Sequence, residues 1–169
     1  MNFIRFVFIL SFGLVALYFL LTPQAVTKRF DKEVAKIEVG KFELLQFNEE
    51  FLMRELAANR AFLYGDRIVV SELDLDEYTR YENEVLKANS ATYQDKKLHF
   101  HGGVRYERAD GFAFSTKRLF YDKKKDFIYV PENFEMSTNV SSVKARDMVY
   151  DRKNGTISFL DVIAQYEVN

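Results

Sequence analysis

The chain has no cysteine, two prolines and seven glycines in 169 residues. Lack of cysteine rules out a disulfide framework and a thiol-linked lipoprotein anchor. With so little proline and glycine there is no Pro-rich or Gly-rich disordered stretch. An excess of either charge is missing too. Lys and Arg number 24 against 25 Asp and Glu, a net charge of -1, so no global field steers nucleic acid or anionic surfaces. Catalytic patterns are equally scarce. Ser115, Ser141 and Ser142 lack a G-x-S-x-G setting. Gly102-Gly103 has no phosphate-loop pattern around it and reads as a bulge or a close backbone approach within a strand.

One long hydrophobic run is present. Phe6 to Leu21 (FVFILSFGLVALYFLL) carries no charge, while the remainder is polar, strand-like and repetitive. The run lies near the lower limit for a spanning helix, about 17 to 25 apolar residues. Phe3 and Ile4 extend it if Arg5 snorkels toward head groups, and Pro23 stops it. The expected organisation is a transmembrane anchor over 1–22, a polar linker over 23–37 and one domain over 38–169. A cleaved signal peptide is the rival reading, but Pro23 stands where a cut after Ala25 wants a small residue. For orientation, only Arg5 and the amino terminus mark the inner side. Lys28, Arg29, Lys32 and Lys36 follow the run, and a strict positive-inside count favours the reverse. The N-terminus is placed inside because so short a flank cannot be the functional part.

The 17 Phe and 10 Tyr suit half-buried pleated surfaces and point to a β domain. Tyr64, Tyr93, Tyr121 and Tyr150 recur at steps of 29, 28 and 29 residues. Phe62, Ala91, Leu119 and Met148 stand two places before them, and a polar turn then a β-rich run follows each. Similarity at a fixed period implies one supersecondary unit repeated. Period-two alternation predicts that these tyrosines and their partners share an inward face. Asn154-Gly155 and Asp110-Gly111 are hairpin signals. The lysine-rich turns at 95–97 and 123–125 read as solvated loop tips. Acidic residues interleave with the lysines, which argues against a nucleic-acid patch. The stretch 49–62 (EEFLMRELAANRAF) is rich in helix formers, yet the repeat argues that 59–64 is strand.

His99 and His101 would share a strand face as a potential metal pair, but spacing marks no third ligand, so partly exposed strand histidines are the plainer reading. Asp74 and Asp76 likewise share a face and read as a solvated surface. No cofactor and no enzyme chemistry are expected. What remains is a repeat with an apolar face, which either fills a core or lines a groove suited to an acyl chain.

The N-terminal run, KANSATYQDKKLHFHGGVRYE (87–107), FSTKRLFYDKKKDFIYV (114–130) and VKARDMVYDRKNGTISFLDVIAQYEV (143–168) together resemble the LptC family of the lipopolysaccharide-export bridge. LAANRAFLYGD (56–66) resembles the family's first repeat. The resemblance implies an all-β fold, a twisted β jelly roll of OstA/LptA-like strand repeats, preceded by one transmembrane helix in a bacterial inner membrane. It implies a periplasmic domain that takes lipopolysaccharide or lipooligosaccharide from an inner-membrane Lpt ABC transporter at its N-terminal part. It passes the lipid to an LptA-like periplasmic protein at its C-terminal edge. Candidate groove positions are Phe62, Tyr64, Tyr93, Phe100, Leu119, Tyr121, Ile128, Met148, Tyr150 and Ile157. The candidate docking edge is Val162, Ile163, Ala164, Gln165, Tyr166, Glu167 and Val168. The family commonly has glycine before its final repeat, and here Glu132 to Val140 has none. Asn139 is the residue expected to take the left-handed conformation instead. The competing function is an adaptor joining two partners by its β edges without binding lipid.

Overall fold

The computed structural model describes residues 34–49, 52–78 and 83–167. The expected anchor, all but the end of the linker, and Val168 lie outside them. The chain forms β1 (Ile37–Val39), β2 (Phe42–Phe47), β3 (Leu52–Ala58), β4 (Arg60–Leu63), β5 (Ile68–Tyr78) and β6 (Asn83–Gln94). It continues with β7 (Lys97–Arg108), β8 (Ala113–Asp122), β9 (Phe127–Ser137), β10 (Ser141–Asp151) and β11 (Thr156–Tyr166). From β5 onward each strand pairs antiparallel with the next, and β3 and β4 both pair with β5. β1 continues the sheet beyond β4, and β2 beyond β3. The helix-rich composition of 49–62 is overridden, because Leu56 and Ala58 alternate into the core and their backbone pairs on both sides.

The strands are too long to stay in one flat layer, and they bend at a common level. On β5, Glu72 takes φ 52°. On β7, Gly102 and Gly103 take φ 74° and 60° where the register with β8 shifts between His101 and Val104. Asp147 and Asp161 take φ 55° and 50° on β10 and β11. The bends at Gly102-Gly103, Asp147 and Asp161 coincide with register shifts, whereas at Glu72 the pairing with β6 stays in step while the inward side chains pass from Val70 to Leu73. The bends divide the sheet into two halves whose inner side chains join one core, the jelly roll. Arg146 ties two of the strained carboxylates: its Nε donates to Asp161, and its Nη1 donates to Asp147 at 3.3 Å.

Hairpins close both ends of the sheet. Asp95 and Lys96 form a two-residue turn with both φ positive, 49° and 62°, between the paired Gln94 and Lys97. Gly111, at φ 89°, closes the turn after β7, and Gly155, at φ 66°, the turn after β10. Asn139 does not take the expected left-handed conformation. Its side chain reaches over Gly111 and donates to the Asp110 carbonyl at 3.3 Å. The turn is made instead by Thr138, whose hydroxyl accepts from the Ser141 amide at 3.2 Å.

Gly102 combines positive φ with a close approach. A Cβ there would lie 2.8 Å from Asn89 Nδ2. Gly40 has open space and no such backbone. Gly102→Ala is expected to destabilise the domain by more than about 1 kcal/mol. Gly40→Ala should be neutral within about 0.5 kcal/mol. Chemical denaturation of the two variants measures the contrast; equal stabilities would show that the bend does not depend on glycine.

Candidate functional site

The repeat tyrosines build one cross-strand row. Register pairs run Ile68–Tyr93, Tyr93–Leu98, Leu98–Tyr121, Tyr121–Ile128, Ile128–Tyr150 and Tyr150–Ile157. Directly opposed residues point to the same face, so the row lines the interior. Beside it Ala91 pairs with Phe100, Phe100 with Leu119, and Val130 with Met148. Phe100, Leu119, Tyr121, Ile128 and Met148 are buried, while Tyr93 and Tyr150 are half-buried against the same core. Ile157 extends the row onto the last strand, where it is 51% exposed because no strand lies beyond.

Phe62 and Tyr64 are a correction to the inward expectation. In β4 the residues facing the core are Ala61 and Leu63, opposite Val70 and Ile68. In β3 they are Arg54, Leu56 and Ala58. Between Ala58 and Ala61 stand two exposed residues, Asn59 and Arg60, and the phase flips while the pairing with β5 stays in step, so Leu63, opposite Ile68, takes the inner place that Tyr93 takes on the other side of Ile68. Phe62 and Tyr64 thus lie together on the outer face, ring centroids 6.4 Å apart, and the Arg67 guanidinium covers Tyr64 at 4.3 Å.

The apolar interior ends in polar groups at both tips. At one tip, Arg152 folds inward and its Nη1 pairs with Asp126 at 3.0 Å and donates to the Tyr121 hydroxyl at 3.3 Å. That hydroxyl also donates to Asp126 at 2.9 Å. Burial first, and then the Asp126 carboxylate, push the Tyr121 phenol up to about 12. At the other tip Gln46, Arg54, Glu77 and Glu84 are successive cross-strand partners. Arg54 Nη2 pairs with Glu77 Oε1 at 2.7 Å, and Arg54 Nη1 donates to Gln46 at 3.3 Å. Glu84 is fully buried beside Tyr106, whose phenol is raised by burial and then by the Glu84 carboxylate. No motif announced this row, and the only trace in sequence is charge at inward-phased positions of otherwise alternating strands.

Both lateral edges expose apolar residues. On β2, Leu44, opposite buried Leu56, is 45% exposed, with Leu45 and Phe47 beside it. On β11, Val162, Ile163, Ala164, Gln165, Tyr166 and Glu167 are exposed, Tyr166 at 72%. Ala164 and Tyr166 oppose Val143 and Ser141, so they continue the inner face. β11 pairs with β10 on one side and with no strand on the other among the described residues.

The outer face carries the two histidines and a groove. His99 and His101 lie 6.5 Å apart by ring centroid, both against Phe120, and His99 is held below its ordinary value by burial and then by His101. Among the described residues no set of three metal-ligating side chains gathers. Asp74 and Asp76 also face outward, Asp74 pairing with Lys87 at 2.6 Å. An open concavity of about 740 Å³ runs over the bends, with Arg105, Lys117, Glu135, Lys144, Arg146 and Asp161 among its lining residues.

No curated protein matches the chain. Residues 7–167 match the family described as Lipopolysaccharide-assembly, LptC-related, and the chain belongs to that family. Its process is therefore lipopolysaccharide transport.

The buried row at the second tip carries a sharp energetic expectation. Arg54→Ala leaves the buried Glu77 carboxylate without its partner and should cost about 3–5 kcal/mol of stability. Replacing both with methionine should recover most of that loss, since both desolvation penalties go together. Urea unfolding of the two variants reads the difference; a double variant as unstable as Arg54→Ala would assign the loss to packing rather than charge.

Proposed function

We propose that this LptC-family chain is a membrane-anchored lipid-transfer scaffold. Acyl chains of lipopolysaccharide or lipooligosaccharide lie against the inner face of its jelly roll. The observation that carries this reading is the continuity of the inner row onto the open edge, through Tyr121, Ile128 and Tyr150 to exposed Ile157. An alkyl chain laid along that face replaces water on apolar surface at about 25 cal/mol per Å². The groove residues on this reading are Tyr93, Phe100, Leu119, Tyr121, Ile128, Met148, Tyr150 and Ile157. Phe62 and Tyr64, on the outer face, drop out of it.

A specific observation favours the adaptor as the second reading. Phe100, Val104 and Val130 have no exposed surface, so the middle of the interior is closed as it stands. Lipid entry requires the two halves to part, whereas an adaptor needs only its edges. A photo-crosslinking residue at Tyr150 or Met148 should capture lipopolysaccharide in cells, and one at Phe62 should not. Capture at neither interior position, in a protein that still joins its partners, would establish the adaptor.

Both readings use the edges. We assign the β2 edge to the inner-membrane ABC transporter and the β11 edge to an LptA-like periplasmic protein. Strand addition works through the backbone amides and carbonyls that an edge leaves unpaired, with apolar side chains seated beside them. Ala164→Pro removes a donor from the free strand and should abolish capture of the LptA-like partner while sparing the transporter. Deletion from Val162 onward should do the same. A pull-down in which the truncated chain retains the partner at the unmodified level would move the docking site elsewhere.

A further inference from the structure

The turns of the sheet differ in charge from one tip to the other. The tip sealed by Arg152 collects the turns 64–67, 95–96, 123–126 and 152–155. These turns are stitched into one surface, because the Lys123 amide donates to the Lys96 carbonyl at 3.0 Å and the Arg152 amide to the Asp126 carbonyl at 3.1 Å. Lys96, Lys97, Lys124, Lys125 and Lys153 are all exposed there, and none enters an ion pair among the described residues. Of the acidic residues between them Asp95 stands exposed, and the other four are occupied. Asp122 accepts the Lys124 and Lys125 amides, Asp151 accepts from Asn154, Asp66 holds Arg67, and Asp126 holds Arg152. The interleaving of charge in sequence is therefore largely undone in space: four carboxylates turn back to cap turns or pair with arginine while five ammonium groups project. Lys123 registers the resulting field, its amine pulled down by burial and then by Lys96.

Two further observations give this tip a direction. Lys96 occupies the second place of a two-residue turn at φ 62°, where glycine is the unstrained choice, so a charge is held at a backbone cost. The chain also enters the domain here. The Lys36 amide donates to the Leu63 carbonyl at 2.7 Å, and the Lys36 side chain lies along Gly65 in the first of the four turns. The uncharged run ending at Leu21 is thus joined, through 22–35, to the lysine-bearing tip. In the described connections of the opposite tip no lysine stands; their charged residues are Glu49 and Asp110, and Asp110 pairs with Arg108.

We propose that the lysine-bearing tip is a docking surface for the anionic lipid head groups of the bilayer that holds the anchor. The proposal rests on the reading of Phe6–Leu21 as a membrane anchor. Lysines beside an anionic leaflet gain roughly 1 kcal/mol each, about fivefold in the tip-to-bilayer equilibrium, and the gain is screened by salt. Contact at this tip holds the domain upright, with its two lateral edges and its opposite tip away from the lipid.

The absence of native cysteine allows single labels on the full chain. Asn154→Cys marks the lysine-bearing tip and Ala109→Cys the opposite one. Each is placed in vesicles of phosphatidylethanolamine with or without roughly one-third phosphatidylglycerol, close to the anionic fraction that gives a leaflet its surface potential. Energy transfer to a head-group acceptor is then read. Transfer should be stronger from position 154 than from 109, only with phosphatidylglycerol, and the difference should collapse in high salt. Lys96→Gly should weaken the contact about fivefold without lowering the unfolding midpoint, since strain leaves with the charge. Equal transfer from both tips, or indifference to phosphatidylglycerol, overturns the proposal and directs the lysines toward an acidic protein face. Alkaline carbonate washing separates the two failures. A chain that washes off refutes the anchor and the tip with it, and a retained chain without tip preference refutes the tip alone.

Discussion

Everything else in this molecule depends on its strands bending at one level with apolar residues facing inward on both sides of the bend. A strand alternates strictly, so a bend that inserts one residue turns every later side chain over. The sheet works because its bends line up, with Glu72, Gly102-Gly103, Asp147 and Asp161 all in left-handed backbone. Apolar residues on either side of the line then face each other. Glycine supplies this conformation at one strand, and carboxylates at the others, two of them held by Arg146.

An open sheet built this way has two tips and two edges, and the physics of each differs. The tips are closed by hairpins, so their backbone groups are satisfied and their side chains are free for charge. The interior is sealed there by ion pairs, Arg152 with Asp126 at one end and Arg54 with Glu77 at the other. The edges keep unpaired backbone groups and the apolar residues that would flank an added strand. Lateral partners and end-on partners are therefore distinguished by chemistry: apolar strand addition at β2 and β11, electrostatic contact at the turns.

The buried Gln46–Arg54–Glu77–Glu84 row shows how a polar group survives inside such a fold. A lone charge there would be intolerable. Arranged as cross-strand neighbours, Arg54 pairs with Glu77 and donates to Gln46 at the level where apolar packing gives out. Such a row adds little net stability over an apolar one, but it penalises any register in which the partners separate. It marks where the apolar path of the interior stops, which matters for a domain in a lipid-transport family.

The sequence by itself determined the class of the domain, the positions of its turns and most of its inner face. Period-two alternation and a 29-residue repeat are local, and they placed Ala91, Tyr93, Leu119, Tyr121, Met148 and Tyr150 on one side because no bulge falls between each partner and its tyrosine. In the first repeat Leu63 rather than Tyr64 takes the inner place opposite Ile68, and nothing in LAANRAFLYGD says which of the two neighbours turns inward. Residues 49–62 were ambiguous for the same reason: helix propensity is intrinsic to the segment, whereas strand pairing is supplied by β2 and β5 from outside it. Asn139 was misread because its side chain finds Asp110 and Gly111 across 29 residues of chain. Only the tertiary structure decided which charges cancel. Lysine and aspartate alternate in the turns, yet hydrogen bonds and arginine pairs occupy Asp66, Asp122, Asp126 and Asp151 and leave the ammonium groups facing out, a sorting that distance along the chain cannot reveal.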